Sequence, residues 1–172
     1  MKEKLEKMKK MKKTDEGKRE AITKKIIKEK YGNYTEIIET EFLDTMLKNE
    51  KVACHFYLKY FEGCKIIDKH LQIISREHRE TLFVKINVEK TPFFTEKLNI
   101  RVLPTIVLFV KGKGIHRFIG FQDFGMNDDF PTINLTRQLV IYKMIEPKTK
   151  AERGEVSIKT KKSKDSSDEE DY

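Results

Sequence analysis

Cys64 is the residue in this chain best placed for covalent chemistry. It follows Phe61-Glu-Gly63 and opens an amphipathic stretch, so its thiol falls in the first turn of a helix. The helix dipole favours thiolate there, whereas burial opposes it. Dithiol chemistry needs a second thiol three residues away to break a mixed disulfide, and that position holds Phe61. Cys64 alone reaches at most a mixed disulfide or a glutathione adduct, and a buried structural thiol is the favoured reading. Cys54 lies on the preceding apolar run, and side-chain alternation turns it to the opposite face, which argues against a Cys54–Cys64 disulfide. His55 would need an oxyanion hole and an open cleft to act with Cys64 as a nucleophilic dyad; a hydrogen-bonded core histidine asks for less. His70, His78 and His116 share no metal-ligand spacing with the cysteines or with one another, so neither a metal nor a cofactor is expected. Lys111-Gly-Lys-Gly114 lacks the following helix of a phosphate-cradling loop.

The elements that must position these residues follow from periodicity. Residues 1–30 carry Leu5, Met8, Met11, Ile22, Ile26 and Ile27 at helical spacing. Gly17 and Thr14-Asp15 weaken the middle, which leaves one bent helix or two short ones. The Gly32-Asn33 pair ends the pattern and a compact domain over 31–145 follows. Thr35–Ile38 reads as a short edge strand. Thr40 or Asp44 is the expected cap of a helix carrying Phe42, Leu43, Met46 and Leu47. Val52–Tyr57 suits a strand buried on both faces, residues 64–79 an amphipathic helix, and Leu82–Val88 a second strand parallel to the first. A short helix over Phe93–Leu98 follows Pro92. Strands at 105–110 and 115–120 form a hairpin, and a last helix brings Ile133, Leu135, Leu139, Val140 and Met144 to the sheet. Apolar residues nearly vanish after Pro147, so 146–172 reads as a disordered charged tail. The fold class is α/β, a mixed central sheet flanked by helices and preceded by an N-terminal helix.

Composition narrows the function classes. With 172 residues, 38% hydrophobic and 37% charged, the chain holds one domain of about 100–120 residues plus charged extensions. Thr105–Val110 is the longest apolar run, far below the roughly 20 residues that span a bilayer. Lysines interrupt every apolar run before Tyr31, and a soluble cytoplasmic protein without membrane contact is expected. Two cysteines without framework spacing agree with a reducing compartment. The net charge of +8 is concentrated in residues 1–30, where 13 Lys/Arg face 6 Asp/Glu. No aromatic residue interleaves those lysines, so base stacking is missing and nucleic acid is not an expected partner. A solvated helix face is favoured over an acidic protein partner.

Two longer patterns carry a family resemblance. The run His55-Phe-Tyr-Leu-Lys-Tyr-Phe-Glu-Gly-Cys-Lys65, with Val102-Leu-Pro-Thr105 beyond it, resembles the active-site and cis-proline segments of a thioredoxin. Where a thioredoxin reads Trp-Cys-Gly-Pro-Cys, this chain reads Tyr60-Phe-Glu-Gly-Cys64. The resemblance puts Phe61 in the nucleophile's place, Cys64 in that of the inward resolving thiol and His55 in that of a buried acid. It also implies a cis peptide before Pro104.

The chain further resembles the phosducin-like proteins, in the branch of phosducin-like protein 3 and thioredoxin domain-containing protein 9. Tyr31-Gly-Asn-Tyr-Thr-Glu-Ile37, Val52-Ala-Cys-His-Phe56, Cys64-Lys-Ile-Ile-Asp68, Asn87-Val-Glu-Lys-Thr-Pro92, Gly120-Phe-Gln-Asp-Phe-Gly125 and Asp128-Asp-Phe130 carry it. This resemblance implies a non-catalytic or weakly redox-active co-chaperone that binds the cytosolic ring chaperonin, tubulin or actin. Tyr60 and Phe61 beside Pro104, and the acidic Asp123, Asp128 and Asp129, are the expected partner-binding residues. Two alternatives remain: a weak monothiol disulfide oxidoreductase acting through Cys64, and direct binding of tubulin's acidic tails by the basic arm.

Overall fold

In the computed structural model, the described residues are 2–155. They begin with one helix, α1 (Lys2–Lys30), and not with two. Thr14, a weak point in the pattern, is absorbed because its hydroxyl bonds back to the Lys10 and Met11 carbonyls. The helix stops at Gly32, whose φ of 92° suits glycine, and the Asn33 side chain donates to the Glu29 carbonyl.

The domain then runs β1 (Tyr34–Glu36), α2 (Glu39–Lys48), β2 (Lys51–Tyr57), α3 (Glu62–Glu77), β3 (Leu82–Asn87), α4 (Pro92–Lys97), β4 (Thr105–Val110), β5 (Lys113–Ile119) and α5 (Thr132–Ile141). The sheet order is β1-β3-β2-β4-β5. β1, β3 and β2 are parallel, while β4 and β5 are antiparallel, the mixed sheet expected from sequence. β2 therefore lies at the centre, buried along nearly its whole length. Its alternation sorts the core. Ala53 faces Ile67, Leu71, Leu135 and Leu139 of α3 and α5, whereas Cys54 and Phe56 face Phe42 and Met46 of α2.

Two expectations change. The start of α2 is capped by neither Thr40 nor Asp44; Ile38 is the N-cap, and Glu41 reaches back to accept its N–H at 3.2 Å. The carboxylate supplies what the isoleucine side chain lacks, and it also complements the helix dipole. Residues 146–155, which read as charged tail in the sequence, pack against the domain and contain a turn. Its Glu152 is buried and accepts backbone N–H groups from Lys148 and Thr149, and Arg137 donates to the Ala151 carbonyl. Composition alone reads such polar residues as tail because their partners are backbone groups. Residues 156–172 of the expected tail lie outside the described residues.

Candidate functional site

Cys64 sits in the first turn of α3, behind the loop that leaves β2. Phe61 is the extended N-cap of this helix and bonds back to the Leu58 carbonyl, while Cys64 and Lys65 both donate to the Phe61 carbonyl. The Cys64 side chain points inward and the residue is 1% exposed. Burial raises its thiol pKa; a backbone hydrogen bond at Leu58 acts against this and the Asp68 charge acts with it. Cys54 is raised by burial as well, and both thiols are free. The thiolate that disulfide chemistry requires is thus disfavoured at both positions.

The loop surface is aromatic. Tyr60 is 81% exposed and Phe61 48%. The Leu103–Pro104 peptide is cis, as the sequence led us to expect. Pro104 itself is buried and forms the floor under the loop. A Cβ added to Gly63 would stand 3.2 Å from the Phe61 ring, 3.2 Å from Pro104 and 3.3 Å from the Phe121 ring, so these three groups converge on the glycine. Phe121 passes the contact inward, its ring centroid 5.7 Å from Phe130, which stands 5.1 Å from Phe124. Those two buried rings anchor the segment that carries the exposed Asp123, Asp128 and Asp129. Asn134 and Gln138 of α5 clasp the same segment through the Phe124 and Asp123 carbonyls. Phe61, Pro104 and Phe121 therefore converge on Gly63, and Phe121 leads through packed rings to the segment that carries the aspartates.

Behind Cys64 lies a polar cluster that sequence reasoning did not assemble. His55 is fully buried, and its Nδ1 stands 2.9 Å from the Tyr34 hydroxyl and 3.1 Å from Asp68 Oδ1. Tyr34 donates to the same carboxylate oxygen at 2.6 Å, and Lys85 Nζ reaches Asp68 Oδ2 at 3.3 Å. Burial lowers the His55 pKa although Asp68 pulls it upward. Burial would raise the Asp68 pKa, but hydrogen bonds from His55 and Tyr34 outweigh it and the net direction is down. Among the described residues His55 Nε2 has no hydrogen-bond partner, Cys64 included, so the two do not form a dyad. Tyr34, His55, Asp68 and Lys85 come from four separate elements, so their meeting left no local sequence signal. Asp68, Lys85, Lys59 and Cys64 line an open cleft of about 340 Å³.

The family model described as Thioredoxin matches residues 33–127, the segment from β1 to the acidic loop. The chain belongs to the thioredoxin family. Thioredoxin domain-containing protein PLP3B of Arabidopsis thaliana is 46% identical over 71% of this chain and 53% of its own length. Human thioredoxin domain-containing protein 9 is 46% identical over 63% of this chain and 49% of its length. Phosducin-like protein 3 of Drosophila melanogaster is 46% identical over 59% and 48%. The expected kinship with the phosducin-like branch is thereby shown, and the chain spans about half the length of the curated relatives it matches. Among solved structures, a mutant thioredoxin of Halobacterium salinarum superposes with a TM-score of 0.55 at 19% identity, covering 68% of this chain and 95% of its own. Plasmodium falciparum thioredoxin gives 0.53 at 24%, covering 63% and 97%. Both likenesses establish the thioredoxin fold.

Proposed function

We propose that this protein is a non-catalytic, thioredoxin-fold co-chaperone of the phosducin-like type. It binds the cytosolic ring chaperonin, its tubulin or actin clients, or both, and acts in the cytoplasm. One observation carries this reading: the exposed position of the family's reactive loop holds Phe61, while the remaining thiol, Cys64, is buried behind it. A surface that ordinarily captures extended peptides keeps its rigid loop and its proline floor but presents aromatics in place of a thiolate. Exposed rings on a rigid loop are efficient anchors for a protein partner, because little side-chain entropy is lost on docking. Asp123, Asp128 and Asp129 add an acidic edge, and the lysines of α1 a basic one, so that the two can grip different surfaces.

The test is capture of purified ring chaperonin and of tubulin by the full chain. Phe61→Ala should weaken capture about tenfold or more while leaving the fold intact. Charge reversal at Asp128 and Asp129 should weaken it too, and Cys64→Ser should leave it unchanged. Capture that needs Cys64 and vanishes with reductant would transfer the assignment to the monothiol oxidoreductase reading.

A further inference from the structure

At the far end of α3 from the Cys64 loop, His78 closes the helix by donating its N–H to the Ile74 carbonyl, and its side chain is 0% exposed. Its Nδ1 lies 3.1 Å from Glu80 Oε1. That carboxylate also accepts the Glu146 N–H at 2.8 Å. With Nδ1 engaged by this carboxylate, Nε2 is the ring nitrogen left to meet a further group.

Nε2 has no hydrogen-bond partner among the described residues. It faces Glu152 Oε1 at 3.8 Å, and Glu152 is 7% exposed. The other carboxylate oxygen of Glu152 is committed to the Lys148 and Thr149 N–H groups, so Oε1 is the atom turned toward the imidazole. The exposed Glu77 completes the group: one ligand atom from each of Glu77, His78 and Glu152 lies within 4.8 Å of the others. A buried imidazole nitrogen and a buried carboxylate oxygen that face each other across this distance leave a gap of the size and polarity that a cation fills.

We propose that Glu77, His78 Nε2 and Glu152 Oε1 form a binding site for a divalent transition metal of the zinc type, with water completing the shell. Ligands about 2.1 Å from a tetrahedral zinc stand roughly 3.4 Å apart, so the cluster closes around the ion by modest side-chain rotation. One imidazole and two carboxylates suit zinc; a nitrogen donor disfavours calcium and magnesium, and the set has no thiolate to draw copper(I). Glu80 supplies the carboxylate behind the ligating histidine that such sites typically carry. The Lys148 ammonium rests on the Glu77 main-chain carbonyl and is the charge the ion must oppose. The metal would tie the 146–155 turn to the end of α3. Sequence spacing did not reveal the set because Glu152 is remote from His78 and belongs to a stretch that reads as tail.

The test is long-range proton–nitrogen NMR of the histidine rings in the full chain, stripped with a chelator and titrated with zinc chloride at pH 7. One zinc per chain is expected. His78 Nε2 should move to the metal-bound range while Nδ1 keeps its proton, and the thermal midpoint should rise. Glu77→Gln, at an exposed position, should weaken zinc at least tenfold without altering the metal-free thermal midpoint. A His78 ring already protonated on both nitrogens and indifferent to zinc would overturn the proposal, since a proton would then occupy the gap. Zinc uptake that leaves the His78 resonances unmoved and ignores Glu77→Gln would overturn it equally.

Discussion

A histidine held at Nδ1 by Asp68 and Tyr34, with Nε2 against the core, has no solvated place for a second proton. Burial therefore disfavours the charged form of His55 in the fold relative to the unfolded chain. Its folded pKa lies below the ordinary 6.5, so the unfolded chain binds more protons between the two values and stability falls as pH drops below about 6.5. His70 and His116 are lowered too, mainly by burial, and act in the same direction. Asp68 adds its loss only in stronger acid, because its folded pKa lies below 3.8. The urea midpoint should thus decline from pH 7 to pH 5, with a slope of at most about 1.4 kcal/mol per pH unit for each proton taken up. A flat profile would show that folding does not lower the affinity of these histidines for protons. Cys64 offers a second residue-level check. Its burial predicts alkylation by iodoacetamide at pH 7.5 at least a hundredfold slower than in urea, followed by mass spectrometry; rapid native labelling would show that the open cleft beside it gives access to the thiol.

Elements were legible where a pattern is local. The apolar run of β2, the amphipathic face of α3 and the glycine hairpin between β4 and β5 follow from residues adjacent in sequence, and their limits moved by only a few residues. What stayed hidden was assembled across the chain: the strand order, the Tyr34–His55–Asp68–Lys85 cluster and the 146–155 turn. The candidate site was half visible. The missing cysteine and the cis-proline were carried by the family pattern, whereas the burial of Pro104 and the Phe121–Phe130–Phe124 relay depended on packing. The hairpin gives a prediction at this scale. Lys111 and Gly112 have φ values of 50° and 79°, the left-handed pair of a tight turn matched to strand twist. Gly112→Ala places a Cβ 2.7 Å from the flexible end of Leu47, which can swing away, so backbone strain dominates. A loss of about 1–2 kcal/mol by urea denaturation is expected. No loss would mean that the turn relaxes to another geometry.

At the scale of the molecule, the +8 charge is distributed so that a basic helix precedes a domain with an acidic loop. Contacts made by α1 should be weakened by salt and those made by Phe61 should not, because screening acts on exposed charges and spares apolar burial. Capture measured from 50 to 500 mM NaCl should therefore fall steeply for the full chain and only weakly once residues 1–30 are removed. The described side chains of residues 6–25 are exposed, so this deletion should leave the domain's thermal midpoint within a few degrees. Equal salt slopes for the two forms would remove α1 from the interface. With 29 residues, α1 is about 43 Å long, a stiff spar longer than a compact domain of this size is wide. Once either end of such a molecule is seated, the other searches only the small volume the spar sweeps, so a second contact too feeble to form alone becomes an intramolecular event at millimolar effective concentration.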